Sequence, residues 1–245
     1  MKTKKPLVGF DRYVEKDWMD QSAKLVIAEN NPNDINEKLD EYLQTFIAGE
    51  TSRRKTKNIL TATWAKSRSA DLAYKKQAAQ LFVKADKQER LLIHYGMSIA
   101  TYPFFMGLSK ILGRLFKLQD EVTNAEFYRR VIETVGDRDS IKRAAARYLQ
   151  SLIEWGVLEQ SSKGAVKPAL KVKVAGSDVI TWLYTSILFS SDRDRLSIDD
   201  ITSDPCWFPF EITHGDFNIN ESEIIEVVHQ GVGNTLVALK SKANV

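Results

Sequence analysis

The sequence predicts a mainly α-helical fold with small β elements. In the first 150 residues, apolar side chains recur with helical spacing in one segment after another. After Trp155, short runs rich in β-branched residues alternate with glycine-containing turns, a pattern typical of short strands. The composition, 43% hydrophobic and 27% charged, is ordinary for a globular protein. We therefore expect a helical N-terminal part, a central part of helices followed by a hairpin, and a mixed α/β C-terminal part.

Five helices are expected in the first 105 residues. Pro32 separates the first two and Gly49 ends the second, so that Thr51 or Ser52 caps the third. The expected helices span about 17–28, 34–47, 52–65, 70–84 and 87–100.

A run of 19 residues, 91–109, contains no Lys, Arg, Asp or Glu and is long enough to suggest a membrane span. Its polar residues and the Tyr102-Pro103 step favour a break in the helix instead. We expect a buried helix, a turn and the start of a second buried helix, with no membrane contact.

The segment 106–174 has the order helix, extended step, helix, turn, helix, strand, turn, strand. Its first helix is expected at 106–118, and Val122 forms the extended step. Thr123-Asn124-Ala125-Glu126 has the spacing of a capping box, so the second helix begins at Asn124. Gly136 opens a tight turn, after which Asp139 or Ser140 caps the third helix.

The third helix divides into two faces at 100° per residue. One side is apolar and consists of Ile141, Ala145, Tyr148, Leu149 and Leu152. The opposite side carries Arg143, Arg147 and Gln150, with Lys142 beside them. Arginine can pair with guanine and glutamine with adenine, so this face suits a recognition helix in the major groove.

A basic hairpin follows the third helix. Gly156 can end the helix in the left-handed conformation, and strands are expected at 157–159 and 170–174. The turn between them carries Lys163 and is followed by Lys167, and both suit phosphate contact. Together these features predict a winged helix-turn-helix over residues 106–175.

The last segment, 176–245, is expected to be an acidic α+β region. It contains an apolar helix at 179–189, irregular structure at 205–219 and a hairpin of strands 224–229 and 235–239. We expect three domains: helical residues 1–105, the winged helix at 106–175 and this C-terminal region.

Charge is distributed unevenly, although the formal net charge is only +3. Residues 51–90 carry 11 basic and 3 acidic side chains, and residues 106–175 carry 13 and 8. The two ends are acidic, with net charges of −3 for residues 1–50 and −7 for residues 176–245. A basic middle between acidic ends suggests a polyanionic partner, and the alternative is that these charges only solvate helix faces.

A second basic surface is predicted at the start of the helix expected at 52–65, where four cations follow Ser52. These are Arg53, Arg54, Lys55 and Lys57. Cations at a helix start oppose the helix dipole, and an external phosphate would relieve that conflict. The alternative is a solvated basic face with Ile59, Leu60 and Trp64 buried.

No catalytic, metal-binding or cofactor-binding pattern emerges. His94 lies in the apolar run and is expected to be a hydrogen-bonded core histidine. Cys206, His214 and Asp216 lie close in sequence but lack the spacing of a metal site. The aspartates between 192 and 204 lack the glycine and final glutamate of a calcium loop and favour a solvated loop. We expect no enzymatic activity, no cofactor and a dispensable Cys206.

Three features resemble the BrxA-like accessory proteins of bacterial BREX phage-defence systems. They are Thr51-Ser52-Arg53-Arg54 at a helix start, the apolar stretch 91–105 and the sequence Glu-Trp-Gly-Val-Leu at 154–158. The resemblance is one of general arrangement and covers residues 52–158, under half of the chain. It implies a DNA-binding accessory protein that acts with larger defence proteins.

The sequence thus predicts a non-catalytic protein that binds double-stranded DNA as an accessory or regulatory factor. The single cysteine and the absence of an apolar run after the basic N-terminus predict a cytoplasmic location. One alternative is a protein-interaction subunit whose winged helix docks a protein partner, and another is an enzyme with an unrecognised site. The sequence predicts no particular oligomeric state.

Overall fold

The computed structural model describes residues 8–29, 31–66, 71–161, 164–212, 222–230 and 234–240. Within these ranges the protein is mainly helical with small sheets, which confirms the expected class. Ten α-helices lie there: α1 Lys16–Ala28, α2 Pro32–Gln44, α3 Glu50–Trp64, α4 Leu72–Lys84, α5 Lys87–Thr101, α6 Pro103–Phe116, α7 Asn124–Val135, α8 Asp139–Glu154, α9 Ser177–Ser190 and α10 Ile198–Thr202.

The same ranges contain eight short strands in three sheets. They are β1 Val122–Thr123, β2 Leu158–Gln160, β3 Ala165–Pro168, β4 Val172–Val174, β5 Arg195–Ser197, β6 Phe210–Ile212, β7 Ile225–Gln230 and β8 Asn234–Leu239. The first sheet is antiparallel with the order β1-β3-β2, the second is the parallel pair β4-β6, and the third is antiparallel with the order β5-β8-β7.

The uncharged run forms most of α5 and the start of α6, as the sequence predicts. The two helices are bent by 116° at Tyr102, and Pro103 occupies the first turn of α6, where its missing amide hydrogen costs nothing. Every residue from 91 to 99 is buried. No described helix is by itself long and apolar enough to cross a membrane; only this bent pair passes such a test, with both helices counted together.

α9 packs against α5 and α4, so the C-terminal region contributes a buried helix to the core. A side chain at Gly96 of α5 would place its Cβ 2.8 Å from the Trp182 ring, so glycine allows α5 and α9 to approach closely. The Tyr74 ring of α4 stacks on Trp182, with 4.9 Å between ring centroids.

The C-terminal hairpin is confirmed as β7 and β8, while its turn residues 231–233 lie outside the described residues. The prediction of irregular structure at 205–219 is partly wrong. Residues Pro205–Trp207 form a 3-10 turn and Phe210–Ile212 form β6; residues 213–219 are not among the described ones. The 3-10 turn presses on α6 so closely that a Cβ at Gly113 would lie 1.9 Å from the Pro205 carbonyl oxygen.

An extended segment before α1 connects the N-terminal helices to α8. The Val14 amide donates to Ser151 Oγ at 2.9 Å, and Trp155 Nε1 donates to the Val14 carbonyl at 2.9 Å. Buried apolar side chains form one continuous cluster from Phe10 to Leu239. The three expected segments therefore share a core, and the domain boundaries at 105 and 175 stay a prediction.

Candidate nucleic-acid interface

α8 has a buried face and an exposed face, as the angular argument predicts. The buried positions are Ile141, Ala145, Tyr148, Leu149 and Leu152. The exposed positions are Lys142, Arg143, Arg147 and Gln150. The inner face packs on α6 and α7, which fixes the backbone from which the polar side chains project.

The polar side chains of the outer face differ in their partners. Arg147 Nη1 donates to Gln150 Oε1 at 2.7 Å, so these two side chains lie together. Lys142 Nζ lies 2.8 Å from Asp137 Oδ1, and this hydrogen bond and charge raise the pKa of Lys142. Arg143 makes no ion pair or side-chain hydrogen bond with any residue that the structure describes. The face therefore offers two guanidinium groups that no described carboxylate holds.

The start of α7 contains only half of the predicted capping box. Thr123 Oγ1 accepts a hydrogen bond from the Glu126 amide at 3.1 Å, as expected. The Glu126 carboxylate instead accepts from Gln119 Nε2 at 2.9 Å, so it is drawn toward the end of α6. The reciprocal hydrogen bond to the Thr123 amide is replaced by this contact with the loop that follows α6.

In the turn between α7 and α8, the predicted role of Gly136 is confirmed, but the predicted helix cap is not. Gly136 has φ 100°, a conformation that favours glycine, and Gly156 ends α8 with φ 74°. The prediction that Asp139 or Ser140 caps α8 is wrong. The helix already includes Asp139, and the residue before it, Arg138, makes no side-chain cap.

The hairpin after α8 uses a different second strand from the one predicted. β2 pairs with Ala165–Pro168, and Glu159 lies opposite Lys167. Pro168, which has no amide hydrogen to donate, is the last residue of β3. Residues 172–174 form β4 and pair in parallel with β6, so they belong to another sheet. The prediction that residues 170–174 form the second strand of the hairpin is therefore wrong.

The sheet joins the hairpin to the start of α7. Val122 of β1 is buried and lies opposite Val166 of β3. The Asn124 amide donates to the Gly164 carbonyl at 3.1 Å. The hairpin therefore has a defined position beside α7 and α8.

The structure describes one of the two predicted hairpin lysines. Lys167 is exposed, and its Nζ lies 2.9 Å from Glu159 Oε2 across the strand pair. This contact raises the pKa of Lys167. Lys163 lies outside the described residues.

Sequence reasoning missed two cations on α7. Arg129 and Arg130 are both exposed, and each lies near Glu133, at 3.6 Å and 3.2 Å. They follow buried Phe127 by two and three residues, and both lie outside the buried stripe of α7. The angular test used for α8 would have identified them.

Two of the four cations at the start of α3 form ion pairs within the molecule. Arg53 Nε lies 3.3 Å from Asp40 Oδ2, and Lys57 Nζ lies 2.8 Å from Asp40 Oδ1. The hydrogen bonds and charges of Lys57 and Arg53 lower the pKa of Asp40. A carboxylate of α2 thus supplies the negative charge that this helix start needs.

The rest of this segment resembles the solvated-face alternative. Arg54 and Lys55 are both exposed, while the apolar residues Ile59, Leu60 and Trp64 are buried. The cap predicted at Thr51 or Ser52 is wrong, because both residues already lie within the helix and Gly49 precedes it.

The two sequence candidates for chemistry are buried. Trp64 Nε1 donates to His94 Nδ1 at 3.3 Å, and His94 Nε2 lies 2.8 Å from Asp20 Oδ1. Burial lowers the pKa of His94, which keeps this hydrogen-bonded core histidine neutral, as expected. Burial raises the pKa of the Cys206 thiol well above its ordinary value, which makes it a poor nucleophile.

Among the described residues, no group of three or more His, Cys, Asp or Glu side chains could hold a metal ion. His214 and Asp216 are outside the described ranges. The acidic run at 192–204 is only partly the predicted loop, because it includes β5 and α10. Its last carboxylate, Asp204, lies 2.8 Å from Lys110 of α6.

Comparison of the chain with protein-family models, with curated proteins and with solved structures found no match.

Proposed function

We propose that this protein is a non-catalytic, cytoplasmic DNA-binding protein that uses a winged helix-turn-helix at about residues 106–175. The element order α6–β1–α7–α8–β2–β3, with sheet order β1-β3-β2, supports this proposal. The observation that carries it is the division of α8 into a buried apolar face and an exposed face of Arg143, Arg147 and Gln150. A recognition helix needs that division to pack and to reach base edges at once.

In this proposal, the exposed side chains of α8 and of the hairpin contact different parts of the DNA. Arg143 and Arg147 offer forked donors to guanine or to phosphate, and Gln150 can pair with adenine. Lys142 and Lys167 position the protein on the phosphate backbone after exchanging Asp137 and Glu159 for phosphate oxygens.

The second basic surface contributes less in this proposal. Arg53 and Lys57 bind Asp40, so they stabilise the contact between α2 and α3. Only Arg54 and Lys55 remain for phosphate contact at the start of α3.

The resemblance to BrxA-like proteins supports an accessory or regulatory role in phage defence, beside larger defence proteins. DNA bound through α8 and the hairpin would then bring such proteins to their substrate.

The direct test is a titration of the full chain with a labelled duplex at two salt concentrations. We expect affinity to fall as salt rises, because each phosphate contact releases counterions from the duplex. A variant with Lys84→Ala and Lys87→Ala removes two exposed cations outside α8 and serves as the charge control. Affinity that does not change with salt would contradict the proposal.

The alternative is that the same module docks a protein partner. It is favoured by the carboxylates that already neutralise Lys142 and Lys167. A parent protein that fails to bind the duplex even at low salt would make this alternative the better account.

A further inference from the structure

A surface formed by α1, α2 and the residues that flank them combines aromatic rings with carboxylates. Each of its four rings lies close to at least one other. The Tyr13 and Trp18 centroids are 5.8 Å apart, Trp18 and Phe46 are 5.9 Å apart, and Tyr42 and Phe46 are 5.1 Å apart. We call these four rings, with Glu15 and Asp17, the aromatic–acidic patch.

The rings are unevenly covered by the rest of the protein. Phe46 is 54% exposed, and it is the most exposed aromatic side chain among the described residues. Tyr13 and Tyr42 are half-buried, whereas Trp18 is only 4% exposed. Trp18 Nε1 is buried without a hydrogen-bond partner in the described part of the chain. Folding therefore leaves an apolar ring uncovered and a polar donor unsatisfied in the same patch.

Carboxylates lie against these rings. Burial raises the pKa of the Tyr13 hydroxyl, and the nearby charges of Glu15 and Glu154 add to this effect. The charges of Asp17 and Glu15 act on the pKa of the Tyr42 hydroxyl in the same way. Negative charge from nearby carboxylates thus acts on Tyr13 and Tyr42, the two half-buried rings of the patch.

The two carboxylates of the patch differ in their cation partners, because Asp17 has one and Glu15 has none among the described residues. Lys16 Nζ is 3.9 Å from both Asp17 and Asp20, and the Lys16 amide donates to Glu154 at 2.7 Å. Glu15 forms no ion pair with any described residue. Burial raises the pKa of Glu15, and the charge of Asp17 adds to the increase.

We propose that the aromatic–acidic patch binds a cationic segment of a partner protein, with an arginine side chain stacked on Phe46. A guanidinium group stacks on aromatic faces and pairs with carboxylates, so it satisfies both chemistries that the patch presents. The negative charge of the patch disfavours nucleic acid, so this surface is separate from the proposed DNA interface.

The experiment uses the full chain and a fluorescein-labelled peptide of alternating glycine and arginine, read by fluorescence anisotropy. The control peptide replaces each arginine with citrulline, which keeps the shape and removes the charge. We expect the arginine peptide to bind, with an affinity that falls as salt rises, and the citrulline peptide to bind far more weakly.

Two variants test the patch itself. Phe46→Ala should weaken peptide binding about fivefold, the size of one exposed cation–π contact. Glu15→Gln with Asp17→Asn should weaken it further and reduce its salt dependence. Leu170→Ala and Glu121→Gln, at exposed positions outside the patch, are the matched controls and should bind like the parent.

Three results would overturn the proposal. They are equal binding of the two peptides, parent-like binding by both patch variants, or self-association of the chain that Phe46→Ala abolishes, since the occupant would then be a second copy. Duplex affinity is measured for the two patch variants and should not change. A failure here is therefore distinguishable from a failure of the DNA-binding proposal.

Discussion

The outer face of α8 and the start of α3 are both basic helical surfaces, yet their cations have different partners. On α8, Arg143 and Arg147 have no carboxylate partner among the described residues, and Arg147 hydrogen-bonds to Gln150. On α3, Arg53 and Lys57 share the Asp40 carboxylate of α2. The density of positive charge along the sequence therefore does not predict which cations are available to a ligand.

The difference has a structural origin. The inner face of α8 supplies the core contacts, so its outer face is free to carry polar groups without a structural role. The start of α3 packs beside α2, and its cations stabilise that packing. Four variants test this contrast, in order of decreasing effect.

Leu149→Ala should lower the free energy of unfolding by about 2–5 kcal/mol, because it opens a cavity under the proposed recognition helix. Urea denaturation followed by circular dichroism measures the change. A loss below about 1 kcal/mol would show that the inner face of α8 is not the packed face, since buried leucines cost more than that.

Arg143→Ala with Arg147→Ala should leave the free energy of unfolding within about 0.5 kcal/mol of the parent, because both side chains are exposed. Duplex affinity should fall. The slope of log affinity against log salt concentration should decrease by about one for each phosphate that the protein no longer contacts. Loss of a contact with a base should reduce the discrimination between DNA sequences by roughly 1–3 kcal/mol. Unchanged duplex affinity at every salt concentration would remove α8 as the recognition helix.

Asp40→Asn should lower stability by about 1 kcal/mol or less, because the carboxylate is partly exposed and water screens its ion pairs. The folded-state pKa of Asp40 is lowered by Lys57 and Arg53, so its contribution is present above the ordinary aspartate pKa and disappears as pH falls through the folded value. The free energies of unfolding of parent and variant, measured as a function of pH, should therefore converge at low pH. Parallel curves throughout would contradict the structural role of Asp40.

Arg54→Ala with Lys55→Ala should have the smallest effect. Neither side chain is buried, so stability should change by less than about 0.5 kcal/mol. The duplex salt slope should fall less than it does for the arginine pair of α8, and base discrimination should not change, because phosphate contacts carry no sequence information. A decrease in affinity equal to that of the α8 variant would make the two surfaces equivalent.

The capping boxes show where local sequence patterns succeed and fail. At Asp86 both reciprocal hydrogen bonds with Glu89 form, although this box was not predicted. At Thr123 the spacing is equally suitable, but Gln119 binds the Glu126 carboxylate. A local motif specifies which hydrogen bonds are possible, and a competing side chain outside the motif decides which of them form.

Most of the helices, the bend at Tyr102-Pro103 and the two faces of α8 follow from the order of residues alone. Helical periodicity and proline chemistry act over a few residues, so these features can be recognised along the chain. Two other features come from tertiary packing: Asp40 holds Arg53 and Lys57, and residues 172–174 pair with 210–212 rather than with β2. Both depend on groups that belong to different elements, and the packing of the whole core decides which of those groups meet.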